Sequence, residues 1–123
     1  MKRDMELVRQ IMFKLEEVDG TEPFPSTIIE VDGFDRATIA YHCALLHNCG
    51  YISGNPEESI GGGAYFDMYI QRLTSSGHDF IDAARNDTIW NKLKSKVLEQ
   101  SGNWTLGVIF KYLEHSARQQ LGF

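Results

Sequence analysis

The chain has 123 residues, 42% hydrophobic and 24% charged, with a formal net charge of −5. Those values fit one soluble globular domain and exclude collagen-like, disulfide-scaffold and mostly disordered chains. No apolar run approaches the roughly 18–20 residues of a membrane span, and the charged opening Met1–Glu6 is not that of a signal peptide, so no membrane partner is expected.

The elements follow from periodicity and punctuation. Met5, Val8, Met12 and Leu15, widened by Ile11, form the apolar stripe of a first helix over about Asp4–Glu17. Asp4 is its candidate cap, and Asp19-Gly20 ends it. Pro23 and Pro25 forbid helix beyond it, so the β-branched run Thr27–Val31 reads as a short strand. Asp35 then caps a second helix over Arg36–Asn48, with Ile39, Cys43 and Leu46 inward and Gly50 as its left-handed terminator. Tyr51–Ser53 starts a strand. Gly54-Asn55-Pro56 and Gly61-Gly62-Gly63 bracket what reads as an irregular loop. Tyr65–Thr74 alternates, with Phe66, Met68 and Ile70 on one face and Tyr65, Asp67, Tyr69 and Gln71 on the other, as a half-buried strand does. The two strands make a hairpin with a long tip.

Three helical segments follow. Thr74 or Ser75 caps the first, which carries Phe80, Ile81 and Ala84. Asp87 or Thr88 caps the next, striped by Ile89, Trp90, Leu93 and Val97. The last runs over about Thr105–Gln120, with Leu106, Ile109 or Phe110, Leu113 and Ala117 on one face. The whole predicts an α+β fold in one domain, 1–123. Residues 1–74 form a winged-helix-like part, in which Arg36–Asn48 is the recognition-type helix and the hairpin is the wing. Residues 75–123 form a C-terminal helical extension. One helix of the usual three is missing between residues 20 and 33, where the prolines sit.

The two cysteines, Cys43 and Cys49, are six apart in the second helix. Their Cα atoms would lie about 9 Å apart, beyond disulfide reach. They read as small buried residues in a reducing compartment, and a cytoplasmic location is expected.

Three stretches resemble a known family: Met1–Arg9, Ile39–Leu46 together with Gly50–Ile52, and Arg72–Trp90. They are similar to domain-of-unknown-function family 2513, small bacterial proteins often met in prophage or mobile-element settings. The resemblance covers nearly the whole chain, and its third stretch is the most specific. It implies a winged-helix-like, cytoplasmic protein and carries no assigned activity or catalytic residue. Cys43 departs from the leucine expected after the Tyr-His pair.

Charge bears on the choice of partner. Residues 1–84 hold six basic and 14 acidic side chains, whereas residues 85–123 hold six basic and three acidic. If the second helix reads double-stranded DNA as part of a homodimer, its candidate readers are Arg36, Thr38, Tyr41, His42 and His47. Lys92 and Lys96, one turn apart, are the candidate phosphate contacts. The alternative is a protein–protein module whose acidic surface meets a basic partner. Trp104, preceding the last helix, is the candidate interface residue.

Other chemistry reads weakly. His42, Cys43, His47 and Cys49 form two pairs about 100° apart around the helix, so they do not converge on one metal. Gly61–Gly63 lacks the lysine and following helix of a phosphate loop, and Glu57-Glu58 would repel a phosphate. His78 with Asp79 or Asp82 has no nucleophile beside it except Ser75 and Ser76, which read as caps. A non-enzymatic protein without a cofactor is expected, either a DNA-binding regulator or a protein adaptor.

Overall fold

The computed structural model describes residues 2–18, 22–58, 66–99 and 105–120. Their contacts cluster in two compact units, Met1–His78 and Asp79–Phe123. The boundary falls inside a helix, slightly later than the expected division at 74/75.

In the first unit, helix α1 (Met5–Glu17) begins where the Asp4 carboxylate accepts from the amides of Glu6 and Leu7 at 3.0 and 3.1 Å. Leu7, Val8, Ile11, Met12 and Leu15 are buried, so Leu7 takes the place in the expected stripe of Met5, which is half-buried. Arg9 is also buried, its guanidinium 4.9 Å from the centre of the Phe13 ring. The strand expected at Thr27–Val31 is not there. Strand β1 is Phe24–Pro25, followed by a single 3-10 turn, Ser26–Ile28. The reason lies in the ladder: β1 pairs with Tyr69 and Ile70, and the Ser26 hydroxyl then accepts the next amide, that of Met68, at 3.1 Å. A side chain has taken the ladder's next donor, so Thr27 onward is left to turn away.

Helix α2 (Arg36–Asn48) matches the expected bounds, with the Asp35 carboxylate accepting from the Thr38 amide at 2.8 Å. Gly50 closes it at φ 80°. Strands β2 (Ile52–Glu58) and β3 (Phe66–Leu73) are antiparallel, in the sheet order β1-β3-β2. Pairing with β3 therefore continues through Gly54-Asn55-Pro56, where an irregular loop was expected, with a shift of register between Ser53 and Gly54. Pro56 is tolerated because β2 is an edge strand and needs no outward donor partner there. Met68 and Ile70 are fully buried while Tyr69 and Gln71 are exposed, as the alternation required. The expected hairpin tip at Gly61–Gly63 lies outside the described residues. Helices α1 and α2 pack on each other and on β3.

A third helix, α3 (Ser75–Ala84), starts at Thr74, whose hydroxyl accepts from the Gly77 amide at 3.1 Å and donates to the Gly50 carbonyl. The Tyr51 carbonyl sits where a Cβ on Gly77 would be, so the end of α2, the start of β2 and the start of α3 meet in one tight node. In the second unit, α4 (Asp87–Glu99) is capped by Asn86, not by Asp87 or Thr88: the Asn86 side-chain oxygen accepts from the Ile89 amide at 3.1 Å. Thr105 caps α5 (Leu106–Gln120). Phe80, Ile81, Trp90, Leu93, Leu106, Ile109 and Leu113 are buried here, and Phe110 stacks on Phe80 with centroids 6.2 Å apart.

Among the described residues the architecture is α+β: five α-helices and a three-stranded antiparallel sheet in a winged-helix-like arrangement with added C-terminal helices. No described helix is long and apolar enough to cross a membrane.

Two glycine substitutions test this packing in opposite directions. Gly77→Ala drives a methyl into the Tyr51 carbonyl and should cost about 1–3 kcal/mol in urea unfolding. Gly107→Ala in α5 meets only the Thr105 hydroxyl, at 3.8 Å, and should raise stability by up to about 1 kcal/mol.

Candidate functional site

The expected reader helix does not present all five of its candidate residues. His42 is fully buried, which corrects its assignment to the exposed face. Its Nε2 accepts from the Asp4 amide at 2.9 Å, so the ring proton sits on Nδ1 and is donated to the Thr38 carbonyl at 2.8 Å. The imidazole is thus spent on joining the N-terminus of α1 to the first turn of α2. Tyr41 packs edge-on against it, centroids 5.9 Å apart, and is 37% exposed. His47 is half-buried, with Nδ1 in the interior, and Thr38 is also half-buried. Arg36 is exposed at the helix start, and it is the single Lys or Arg that α2 contains. Beside it, the hydrogen bond from Thr38 holds the Asp35 carboxyl below the usual carboxylate value, so a fixed negative charge flanks the one cation.

Cysteine placement is split. Cys43 is buried, as expected, but Cys49 is exposed, because it follows the last helical residue and faces outward at the α2 terminus. Neither forms a disulfide. Among the described residues, no three His, Cys, Asp or Glu side chains are grouped to hold a metal ion.

A different surface of the first unit has the shape of a binding site. The i, i+4, i+8 row of α1, half-buried Glu6 and Gln10 with exposed Lys14, faces the tight turn Val31–Phe34 across an open groove of about 400 Å³. The Phe34 amide donates to the Val31 carbonyl at 3.2 Å, and Gly33 stands at φ 88° in that turn. The turn thereby lays half-buried Phe34 and Val31 along the groove between exposed Glu30 and Asp32. Gln10 donates to Glu6 at 3.4 Å. The groove has an apolar strip, three carboxylates and one ammonium. Sequence patterning missed it, because Phe34 and Val31 lie in a turn and follow neither helical nor strand period. The exposed acidic pair around Gly33 was the available signal.

In the second unit, Lys92 and Lys96 are exposed on one face of α4. Asp82 is engaged by Arg85 at 3.1 Å, and His78 is exposed. Trp104, the candidate interface residue, lies outside the described residues.

The sequence matches the family described as "Hypothetical protein (DUF2513)" over residues 2–103. The chain belongs to this family. It is also 33% identical over 122 residues to an uncharacterized protein of Haemophilus influenzae, covering 98% of this chain and 99% of that one. No solved structure matches the chain.

Two substitutions on this family member's α2 separate framework from surface. His42→Ala leaves the Asp4 amide unpaired in a cavity and should lower the unfolding free energy by about 2–4 kcal/mol. Tyr41→Ala should change it by less than about 1 kcal/mol. The Asp35 cap carries its own pH signature. A carboxyl held lower in the folded state than in the unfolded one stabilises the fold above its ordinary value and loses that effect as pH falls through the folded value. The Tm difference between the native chain and Asp35→Ala should therefore be full at neutral pH and shrink as pH falls below the ordinary carboxylate range.

Proposed function

We propose that this protein is a non-enzymatic, cytoplasmic winged-helix adaptor whose first unit binds a basic, apolar-anchored protein segment in the groove between α1 and the Val31–Phe34 turn. The observation that carries the reading is the composition of that groove: Glu6, Glu30 and Asp32 beside Phe34 and Val31, with Lys14 as its one cation. A lysine- or arginine-bearing peptide matches the walls by charge, and an aliphatic or aromatic side chain matches the strip. Residues 1–78 contain six basic and twelve acidic residues, so the surrounding field also attracts cations.

Duplex DNA is the second reading, favoured by the order of α1, β1, α2 and hairpin, which in other winged helices sets a helix in the major groove. Under that reading a homodimer would use Arg36, Tyr41 and Lys92 with Lys96. Two features weigh against it. Binding that loses a thousandfold or more in affinity between about 50 and 200 mM salt requires roughly six or more phosphate contacts, and α2 supplies one arginine. The helix that would cross the DNA backbone is reduced to the 3-10 turn Ser26–Ile28.

Fluorescence anisotropy of the whole chain decides between the two. The probes are a labelled peptide of about 12 residues alternating lysine and leucine, the same peptide with glutamate for lysine, and a duplex from the upstream DNA, each at about 50 and 200 mM salt. The basic peptide should bind and the acidic one should not. Glu30→Lys with Asp32→Lys, and separately Phe34→Ala, should each weaken binding at least about tenfold. Tight duplex binding that depends on Arg36 and ignores the Glu30 and Asp32 reversals would replace the adaptor reading with the DNA one.

A further inference from the structure

The second unit carries a groove of the opposite chemistry. It lies between α4 and α5 with a volume of about 300 Å³, and its lining is Ile89, Lys92, Tyr112, Ser116 and Gln119. No carboxylate is among these residues. On α4, Ile89, Lys92 and Lys96 stand at i, i+3 and i+7, and on α5, Tyr112, Ser116 and Gln119 stand at i, i+4 and i+7. Each set is therefore one face of its helix. Lys96 reaches the same place from the next turn, its ammonium 5.4 Å from the centre of the Tyr112 ring. The two lysines are exposed, and Tyr112 and Ser116 are half-buried.

Two ammonium groups one turn apart repel each other, at a cost of roughly 0.2–0.5 kcal/mol in an isolated helix. Among the described residues, the groove lining holds no carboxylate to offset that repulsion. The groups around them are a phenol, an aliphatic hydroxyl and a carboxamide, all able to donate hydrogen bonds. From this we infer that the α4–α5 groove is an anion site for a single phosphate monoester, with Lys92 and Lys96 supplying charge and Tyr112, Ser116 and Gln119 supplying hydrogen bonds. Charge counting selects the ligand. A phosphate monoester carries about −1.5 to −2 at neutral pH, which two lysines neutralise. A duplex presents one charge per about 1.7 Å of its axis and would need a longer cationic track than this groove has. Ile89 and the Tyr112 ring give the ester's organic part an apolar wall. The site is independent of the adaptor reading, since no residue is shared between the two grooves.

Amide chemical shifts of the full chain, followed during titration, test the assignment. The probes are inorganic phosphate, adenosine monophosphate and a duplex of about 12 base pairs, with sodium chloride at matched ionic strength as control. Phosphate and the monophosphate should produce saturable shifts centred on residues 89–96 and 112–119, with the monophosphate binding more tightly. Lys92→Ala should weaken binding at least about tenfold, the loss expected for one charge-assisted contact, while Lys92→Arg should retain most of it. Lys111→Ala, an exposed change on α5 that removes a lysine outside the groove lining, should leave binding unchanged. Because both substituted residues are exposed lysines, the three variants keep the fold and the comparison stays readable. Equal shifts with chloride, or equal losses from Lys92→Ala and Lys111→Ala, would reduce the groove to unspecific screening and overturn the proposal. So would a duplex that binds more tightly than the monophosphate through Lys92.

Discussion

The winged-helix-like unit depends on one hydrogen bond that crosses 38 residues of sequence, from the Asp4 amide to His42 Nε2. Asp4 and His42 each do two things. Asp4 caps α1 with its carboxylate and offers its own amide to the ring, while His42 takes that amide and gives its proton to the Thr38 carbonyl. Thr38 in turn donates its amide to Asp35. The N-termini of α1 and α2 are therefore one connected network, from the Asp35 cap through Thr38 and His42 to the Asp4 cap. The His42 ring at its centre is fully buried, so breaking either of its two links leaves a polar group with little water to replace the partner, while the Asp35 end of the network is exposed. It fixes how α1 lies on α2, and hence where the row Glu6, Gln10, Lys14 sits relative to the turn after the 3-10 segment.

That same network redistributes function over the surface. A helix that reads DNA must keep its polar side chains outward, and here a residue chemically suited to base contact is buried to hold two helices together. Tyr41, packed edge-on to His42, is part surface and part framework for the same reason. What remains exposed on α2 is one arginine beside a carboxylate that hydrogen bonding keeps charged. The acidic groove across α1 has no such conflict. Its apolar strip comes from a turn, and two of its carboxylates, Glu30 and Asp32, are exposed at that turn.

Much of this architecture was legible in the sequence wherever residue type and local role agree. Asp4, Asp35 and Gly50 cap or close helices as their types demand, and the alternation of Met68, Tyr69, Ile70 and Gln71 marks β3 without further help. Reading failed where tertiary partners overrode local preference. Thr27–Val31 has strand composition, yet the β3 edge it would need is already met by Phe24, Pro25 and the Ser26 hydroxyl. Gly54-Asn55-Pro56 has turn composition, yet it lies on an edge strand whose missing donor costs nothing. His42 and Cys49 were misplaced for a related reason: both sit near the margin of the apolar stripe, where period alone does not separate in from out. Asn86 was passed over as a cap because two equally good capping residues follow it.

Charge segregation gives these observations a common direction. The acidic excess of the chain lies in residues 1–84, and the basic excess begins at Arg85. A single nucleic-acid surface would want the cations gathered around α2 and the hairpin, where twelve of the 29 charged residues would otherwise be acidic neighbours within residues 1–78. The folded chain instead pairs each charge excess with a groove of matching lining: carboxylates around Phe34 in the first unit, lysines around Tyr112 in the second. Both grooves combine a ring with charge, the composition that gives a ligand affinity from burial and selectivity from sign. Under the two proposals made above, binding would be selected by electrostatic sign at two places. The two ligands should then differ in the direction of their charge and share a sensitivity to salt.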